Sequence, residues 1–468
     1  MKKFGTWLLL AILFIAMMVL NMLNEGSPGG ADTYMHYLFA KWAFIHPHLF
    51  FDHWGKPMFT ILASPLAQFG FKGAVTFNIL IALGSGLLVY KSAEKLHIKN
   101  SWLGILFTVF TPMFFLISFS SLTEIIFAFL TILSIYLFTD KKYVYSAIAM
   151  SFVPFARTEG IIFFPLIMFS FIFVKNYKSI FFLLTGFIVM SLAGYPVYHD
   201  FLWPITKNPY HDASALYGSG KLLHFVDHSP GIFGWPIIVM FAVGLVTSLV
   251  YVFKHKFNHQ SISILLILGV ALGYFSAHSV VWAYGMGGSA GLIRVMAGIV
   301  PAVACIALFG TDQLFRLIPH RPWAKWSFIV LIAIIVTIEG ISKNKFPIYL
   351  GQEETELHQV AKYIKENNLD ENYIIYYNPL NAYLLDLDHF SDVHSRNQLY
   401  DNNQPHKDLK PGTIIIWDAH FSPNESGLPK TNLEQDSQLV KLKEFHPVHP
   451  FQVYGGQEYE VLIFQKKQ

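Results

Sequence analysis

Long apolar runs dominate the first three quarters of the chain, separated by short polar segments. Runs near 4–23, 73–90, 102–119, 122–139, 143–156, 160–174, 179–196, 232–253, 261–283, 290–310 and 325–341 are each long enough, or nearly so, to cross a bilayer. At roughly 20 residues per crossing they predict about eleven spans. The pair around 156–160 is short, which predicts either two tilted helices or one broken re-entrant hairpin. The first run has a basic start, as a signal peptide would, but no small-x-small cleavage pattern follows, so a retained helix is expected.

After Glu339 the pattern changes, and charged residues and Asn replace the long apolar runs. Residues 354–367 place Leu357, Val360, Ala361 and Ile364 on one helical face. The segments 373–377 and 413–417 read as short buried strands. Residues 452–454 and 459–464 flank a Gly455–Gly456 turn, as in a hairpin. The fold class expected is a polytopic α-helical membrane protein, residues 1–341, followed by a C-terminal α/β domain, residues 342–468. That second domain has no glycine-rich phosphate loop.

Basic residues orient the spans. With the N-terminus in the cytoplasm, the short inner segments hold Lys2, Lys3, Lys91, Lys95, Lys99, Lys141, Lys142, Lys175, Lys178, Lys254, Lys256, Arg316, Arg321 and Lys325. The longer outer loops hold only Lys41, Lys56, Lys72, Arg157, Lys207 and Lys221. An odd number of spans then puts the C-terminal domain outside, with the plasma (inner) membrane as the expected location. The outer loop 24–72 carries apolar residues at helical spacing on both sides of HPHLFFDHWGKP, which predicts two interfacial helices.

Composition agrees. The 468 residues are 54% hydrophobic and 13% charged, against roughly 25% charged in soluble domains. A net charge of +3 and the lack of a basic tract argue against a nucleic-acid partner. The single cysteine, Cys305, lies in an apolar run and excludes disulfides and thiolate metal sites.

The candidate chemistry gathers at the predicted outer ends of spans, where charge is costly unless used. Asp32 in GGADTYMHY could act as a base, or could cap a helix starting at Thr33. Tyr34, His53 and Lys56 follow in the same loop. Glu124 in SSLTEIIF fits a capping box with Ser121, the better local reading, with a substrate contact as the alternative. Arg157 and Glu159 in FARTEGI could pair with each other or with Glu124, or could hold a phosphate. Arg294 in GLIRVMAGIVP has no carboxylate near it in sequence. It could snorkel to the interface or bind phosphate in a bidentate fork. The outer loops hold His36, His46, His48, His53, His199, His211, His224 and His228, and with Asp52 or Asp200 these are competent metal ligands. No HExxH or similar spacing appears, so no cofactor is expected and a divalent metal is not favoured. WDAHFSPNE, 417–425, follows a strand end; a plain structural loop is the simpler reading.

Taken together, the acidic residue Asp32 in the first outer loop, the tract FDHWGKP, the SLTE and ARTEG turns and the RVMAGIVP span resemble the GT-C glycosyltransferases. The resemblance covers about 1–340 and is nearest to bacterial members of the mannosyltransferase and ArnT-like type. It implies transfer of a hexose, mannose among the candidates, from a polyprenyl-phosphate sugar donor to a lipid or glycan acceptor, with inversion. It further implies Asp32 as catalytic base and Arg294 near the donor phosphate. Family members often have two adjacent acidic residues in the first loop. Here Thr33 follows Asp32, which leaves Asp32 as the single candidate there and argues against a metal-dependent variant. Rival readings are a transporter or flippase of lipid-linked sugars, a non-catalytic glycan-assembly factor, and a glycan polymerase or ligase.

Overall fold

The computed structural model describes residues 3–209, 218–286, 289–318 and 321–467. It divides into two compact units. One comprises Met1–Leu23 with Pro47–Pro347, the other Asn24–His46 with Ile348–Gln468.

The first unit is helical. Among the described residues, seven helices are long and apolar enough to cross a membrane: Phe4–Leu23, Phe71–Lys95, Lys178–Tyr198, Trp235–Lys254, His259–Ala283, Ile293–Leu317 and Pro322–Ser342. The remaining apolar runs of the sequence form shorter pieces. Run 102–119 breaks into Leu103–Val109 and Pro112–Ile117, because Pro112 forces Thr111 into an extended conformation. Run 143–156 is interrupted ahead of Pro154, giving Tyr143–Ser151 and Val153–Ala156. Run 160–174 opens as a 3₁₀ turn, Thr158–Ile162, before the helix Phe163–Phe173. Of the about eleven apolar runs, seven are full-length helices among the described residues and the others are broken or short.

The helix Ile293–Leu317 lies at the centre of this unit, 89% buried over its apolar window. By contrast Phe4–Leu23, Trp235–Lys254 and Pro322–Ser342 are only 22% buried and turn large apolar side chains such as Trp7, Phe253 and Trp326 outward. Such faces suit lipid. Two glycines let the central helix approach its neighbour closely. A Cβ on Gly244 would sit 2.0 Å from the Ile306 carbonyl oxygen, and one on Gly310 2.1 Å from that of Met240. Small residues at a crossing are how helices in lipid gain packing without a hydrophobic drive. Reciprocal bonds at 2.8 Å, Ser134 Oγ to the Ser146 carbonyl and Ser146 Oγ to the Ser134 carbonyl, tie Glu124–Thr139 to Tyr143–Ser151.

The second unit is built on a five-stranded sheet: β1 (Ile374–Ile375), β2 (Ser395–Arg396), β3 (Ile414–Asp418), β4 (Leu439–Phe445) and β5 (Val461–Lys466), in the order β2-β1-β3-β5-β4. The first three run parallel, and β5 is antiparallel to both β3 and β4. The helix Gln352–Glu366 buries Leu357, Val360, Ala361 and Ile364, the face expected from periodicity. The expected hairpin forms at its turn, with the Gln452–Glu458 bridge flanked by bonds from Tyr459 N–H to the Phe451 carbonyl at 2.9 Å and from Val453 N–H to the Gln457 carbonyl at 3.0 Å, and the strand beyond it, β5, pairs with β3 and β4. β4 escaped the sequence reading because it is an edge strand that exposes Val440, Lys441, Lys443 and Glu444.

The predicted interfacial helices form as Ala31–Trp42 and Pro57–Ala67, with a 3₁₀ turn Pro47–Phe51 between them. They belong to different units. Residues 24–46 join the C-terminal fold rather than the membrane half to which the sequence assigned them. The reason is specific contact: Glu25 N–H donates to the Ile348 carbonyl at 2.8 Å, Tyr34 stacks on Tyr383 at 5.1 Å, and His46 pairs with Asp388 at 2.7 Å.

Candidate functional site

The helical unit brings Glu124, Arg157, Glu159 and Arg294 into one ionic cluster. Glu124 is the first residue of the helix Glu124–Thr139, and its side chain is 1% exposed. Arg157 sits in extended backbone between Val153–Ala156 and the turn Thr158–Ile162, a break that aims it sideways rather than along a helix. Its Nη1 lies 2.8 Å from Glu124 Oε1, and its Nε donates to Glu159 Oε1 at 2.6 Å. Arg294, in the 3₁₀ turn Ile293–Ile299 that opens the central span, brings its Nε to 3.5 Å from the same Glu124 oxygen. Both pairings foreseen for Arg157 are present, and the carboxylate that Arg294 lacked in sequence is supplied by the fold.

The capping-box reading of Glu124 does not hold. Thr123, not Ser121, is the cap residue; it makes no side-chain cap bond, its Oγ1 accepts from Arg157 Nη1 at 3.4 Å, and Glu124 turns to the arginines. The turn before it is fixed from elsewhere: Asn78 Nδ2 donates to the carbonyls of Ser120 at 2.7 Å and Leu122 at 2.8 Å.

Lys56 takes part electrostatically. It caps Pro57–Ala67 with φ at +60° and is 9% exposed. Burial pushes its ammonium down from 10.5 to about 8, opposed by Glu159, Asp52 and Glu124 and reinforced by Arg157. Asp52 Oδ1 accepts the Trp54 N–H at 2.7 Å and the Gly55 N–H at 2.9 Å, which shapes the HWGKP turn. His53 is held elsewhere, its Nε2 3.3 Å from the Trp203 carbonyl and its ring 5.2 Å from the Trp203 ring. Burial lowers its pKa.

Sequence reasoning missed Tyr274 and His278. Tyr274 Oη donates to Glu159 Oε1 at 3.2 Å, and the His278 ring lies 4.3 Å from the tyrosine ring. They sit one turn apart in the span His259–Ala283, a pattern that marks intramembrane polar groups with partners.

Asp32 and Tyr34 belong to the other unit. Asp32 lies in the first turn of Ala31–Trp42, where the helix dipole favours a carboxylate. It is not the cap, which is Gly30 at φ +57°. Tyr34 is buried, and its hydroxyl donates to Glu354 Oε1 at 2.8 Å. Glu354 Oε2 in turn accepts the Gly351 N–H at 2.7 Å. Tyr34 thus has a packing role in its own unit.

Among the described residues, no three His, Cys, Asp or Glu side chains converge as a metal site. The outer-loop histidines have other partners: His46 meets Asp388, and His224 Nε2 lies 2.8 Å from the Gly291 carbonyl. His211 lies outside the described residues.

The fold, a many-helix bundle with a small α/β unit, is shared with proteins of known structure. The chain is similar to ArnT from Cupriavidus metallidurans bound to undecaprenyl phosphate, with a TM-score of 0.62, 10% identity, and 97% of each chain covered. The apo state of that protein gives 0.63 at 9% identity, covering 99% of this chain and 98% of the other. An oligosaccharyltransferase from Archaeoglobus fulgidus, tethered to an acceptor peptide, gives 0.55 at 12% identity over 89% and 69%. At such identities the likeness is one of fold. No family model matches the chain, and no curated protein matches it in sequence.

Proposed function

We propose that this protein is a membrane glycosyltransferase that moves a hexose from a polyprenyl-phosphate donor to a lipid or glycan acceptor, with inversion. Mannose is the sugar the sequence resemblance favours. The observation that carries the reading is the pair of guanidinium groups, Arg157 and Arg294, gathered on buried Glu124 in a fold shared with an undecaprenyl-phosphate-bound ArnT.

Each role follows from charge. Asp32 takes the proton of the acceptor hydroxyl as its oxygen attacks the anomeric carbon. The bond from that carbon to the phosphate oxygen breaks, and its electron pair leaves with the polyprenyl phosphate. Arg157, Arg294 and protonated Lys56 stabilise the growing negative charge. A guanidinium presents five donors in a planar fork, which suits a phosphate monoester. Glu124 and Glu159 orient the arginines, and Tyr274 orients Glu159. In this reading the basic side chains, rather than a divalent metal, supply the positive charge. The distribution of Lys and Arg supports a cytoplasmic N-terminus, an extracytoplasmic C-terminal unit and residence in the inner membrane.

The test is to incubate the purified protein in nanodiscs with a panel of polyprenyl-phosphate sugars and measure released polyprenyl phosphate. Release with at least one hexosyl donor, abolished in Asp32→Asn at normal expression, is the expected result. Full activity in Asp32→Asn removes that residue from the mechanism, and no release from any donor defeats the reading.

A further inference from the structure

The second unit contains a cavity of about 540 Å³, lined by Trp42 from the end of Ala31–Trp42, the segment Asp370–Tyr373 that leads into β1, and residues from 386–395, with Lys410 at one side. That volume falls within the ~300–1,000 Å³ typical of small-ligand sites. It lies by the N-terminal ends of the parallel strands, the opposite edge from the WDAHF loop, which follows β3.

We infer that this cavity is a saccharide-binding site that docks a neutral or amine-bearing glycan through Trp42, Tyr373, Val393 and the carboxylates of Asp370, Glu371 and Asp388.

Three observations set the class of ligand. First, aromatic and apolar surface from Trp42, Tyr373 and Val393 lines the cavity beside carboxylate acceptors. A sugar ring offers C–H faces to such surface and hydroxyls to its rim. Second, the lining carries four carboxylates, Asp370, Glu371, Asp386 and Asp388, against one lysine, Lys410. With Asp386 and Asp388 paired to Lys41 and His46, Asp370 and Glu371 form the acidic rim against Lys410, so the site is distinct in chemistry from the arginine cluster. Third, two of the carboxylates are held in place. Asp388 bonds His46 at 2.7 Å and accepts the Phe390 N–H at 3.0 Å, while Asp386 pairs with Lys41. An ionised carboxylate has about four lone-pair sites, so an anchored one can still accept sugar hydroxyls in fixed directions. Charges already paired in this way favour a polyol over a strongly basic peptide. Within the proposed transferase reading, on which this assignment of purpose rests, the glycan is the acceptor.

The experiment measures binding directly, with no donor present. Full-length protein in nanodiscs is titrated with mannotriose, a glucosamine trimer, a phosphorylated mannotriose and trilysine, using saturation-transfer NMR. Mannotriose or the glucosamine trimer is expected to bind, and the phosphorylated sugar at least tenfold more weakly. Trp42→Ala, which removes an aromatic wall of the cavity, and the exposed pair Asp370→Asn with Glu371→Gln should each weaken binding at least tenfold. No saccharide bound at millimolar concentration, binding unchanged in both variants, or trilysine binding in preference to sugars overturns the inference. Binding without any transferase activity would defeat the proposed reaction alone; transfer without binding here would defeat this site alone.

Discussion

Arg157 Nη1 lies 2.8 Å from Glu124 Oε1, and Arg294 reaches the same carboxylate oxygen at 3.5 Å. One almost fully buried acid thus holds two cations that would otherwise repel each other. Removing one partner of a buried ion pair typically costs about 3–5 kcal/mol, because it strands the other charge. Glu124→Ala and Glu124→Gln both remove the charge, and each is expected to lower the unfolding temperature sharply in detergent. Small effects of both would mean the arginines are held by other groups.

Lys56 gives the site a pH dependence with two opposite signs. Burial lowers its folded pKa to about 8 from 10.5. Between those values the unfolded chain binds the extra proton, so this group makes the fold more stable as pH rises through that window. The proposed phosphate contact needs the ammonium form, so kcat/KM is expected to fall as pH rises through about 8. Lys56→Arg, charged at all these pH values, should remove the alkaline limb. A limb that persists in Lys56→Arg assigns it to another group.

Acid strengthens the loop after β3. Asp418 is fully buried, and burial raises its carboxyl from 3.8 to about 6 despite N–H donors from Phe421 and His420. The folded state therefore binds more protons between those values, and stability falls as pH rises across them. The Glu353 carboxylate raises His420 against the opposing effect of burial, and that contribution also fades as pH rises through its folded value. Hydrogen exchange of 414–425 in the full-length protein, corrected for intrinsic rate, should be slower at mildly acidic than at neutral pH. Asp418→Asn, which keeps an acceptor for both N–H groups, should flatten most of that difference. An unchanged profile would assign the effect elsewhere.

Much of this was legible from sequence because lipid enforces it. Apolar runs found the full-length helices, and ionisable residues at span ends marked Glu124, Arg157, Glu159 and Arg294. Broken helices were harder: Pro112 and Pro154 stop a helix without interrupting hydropathy. The division of the first outer loop was invisible, since nothing local to Tyr34 announces a bond to Glu354, 320 residues away. Tyr274 and His278 were overlooked as ordinary span residues, although two polar groups one turn apart in lipid are a signal in themselves. β4 carries its charges outward on an edge, so alternation did not reveal it.

The central claim is that Arg157 and Arg294 hold a lipid phosphate. Native mass spectrometry of the purified protein with undecaprenyl phosphate, and with undecaprenol as the uncharged control, measures this most directly. The account predicts that the phosphate is retained and the alcohol is not, and that Arg294→Gln weakens retention at least tenfold while thermal unfolding shows the fold intact. Equal retention of the two lipids, or undiminished binding in a folded Arg294→Gln protein, would contradict it.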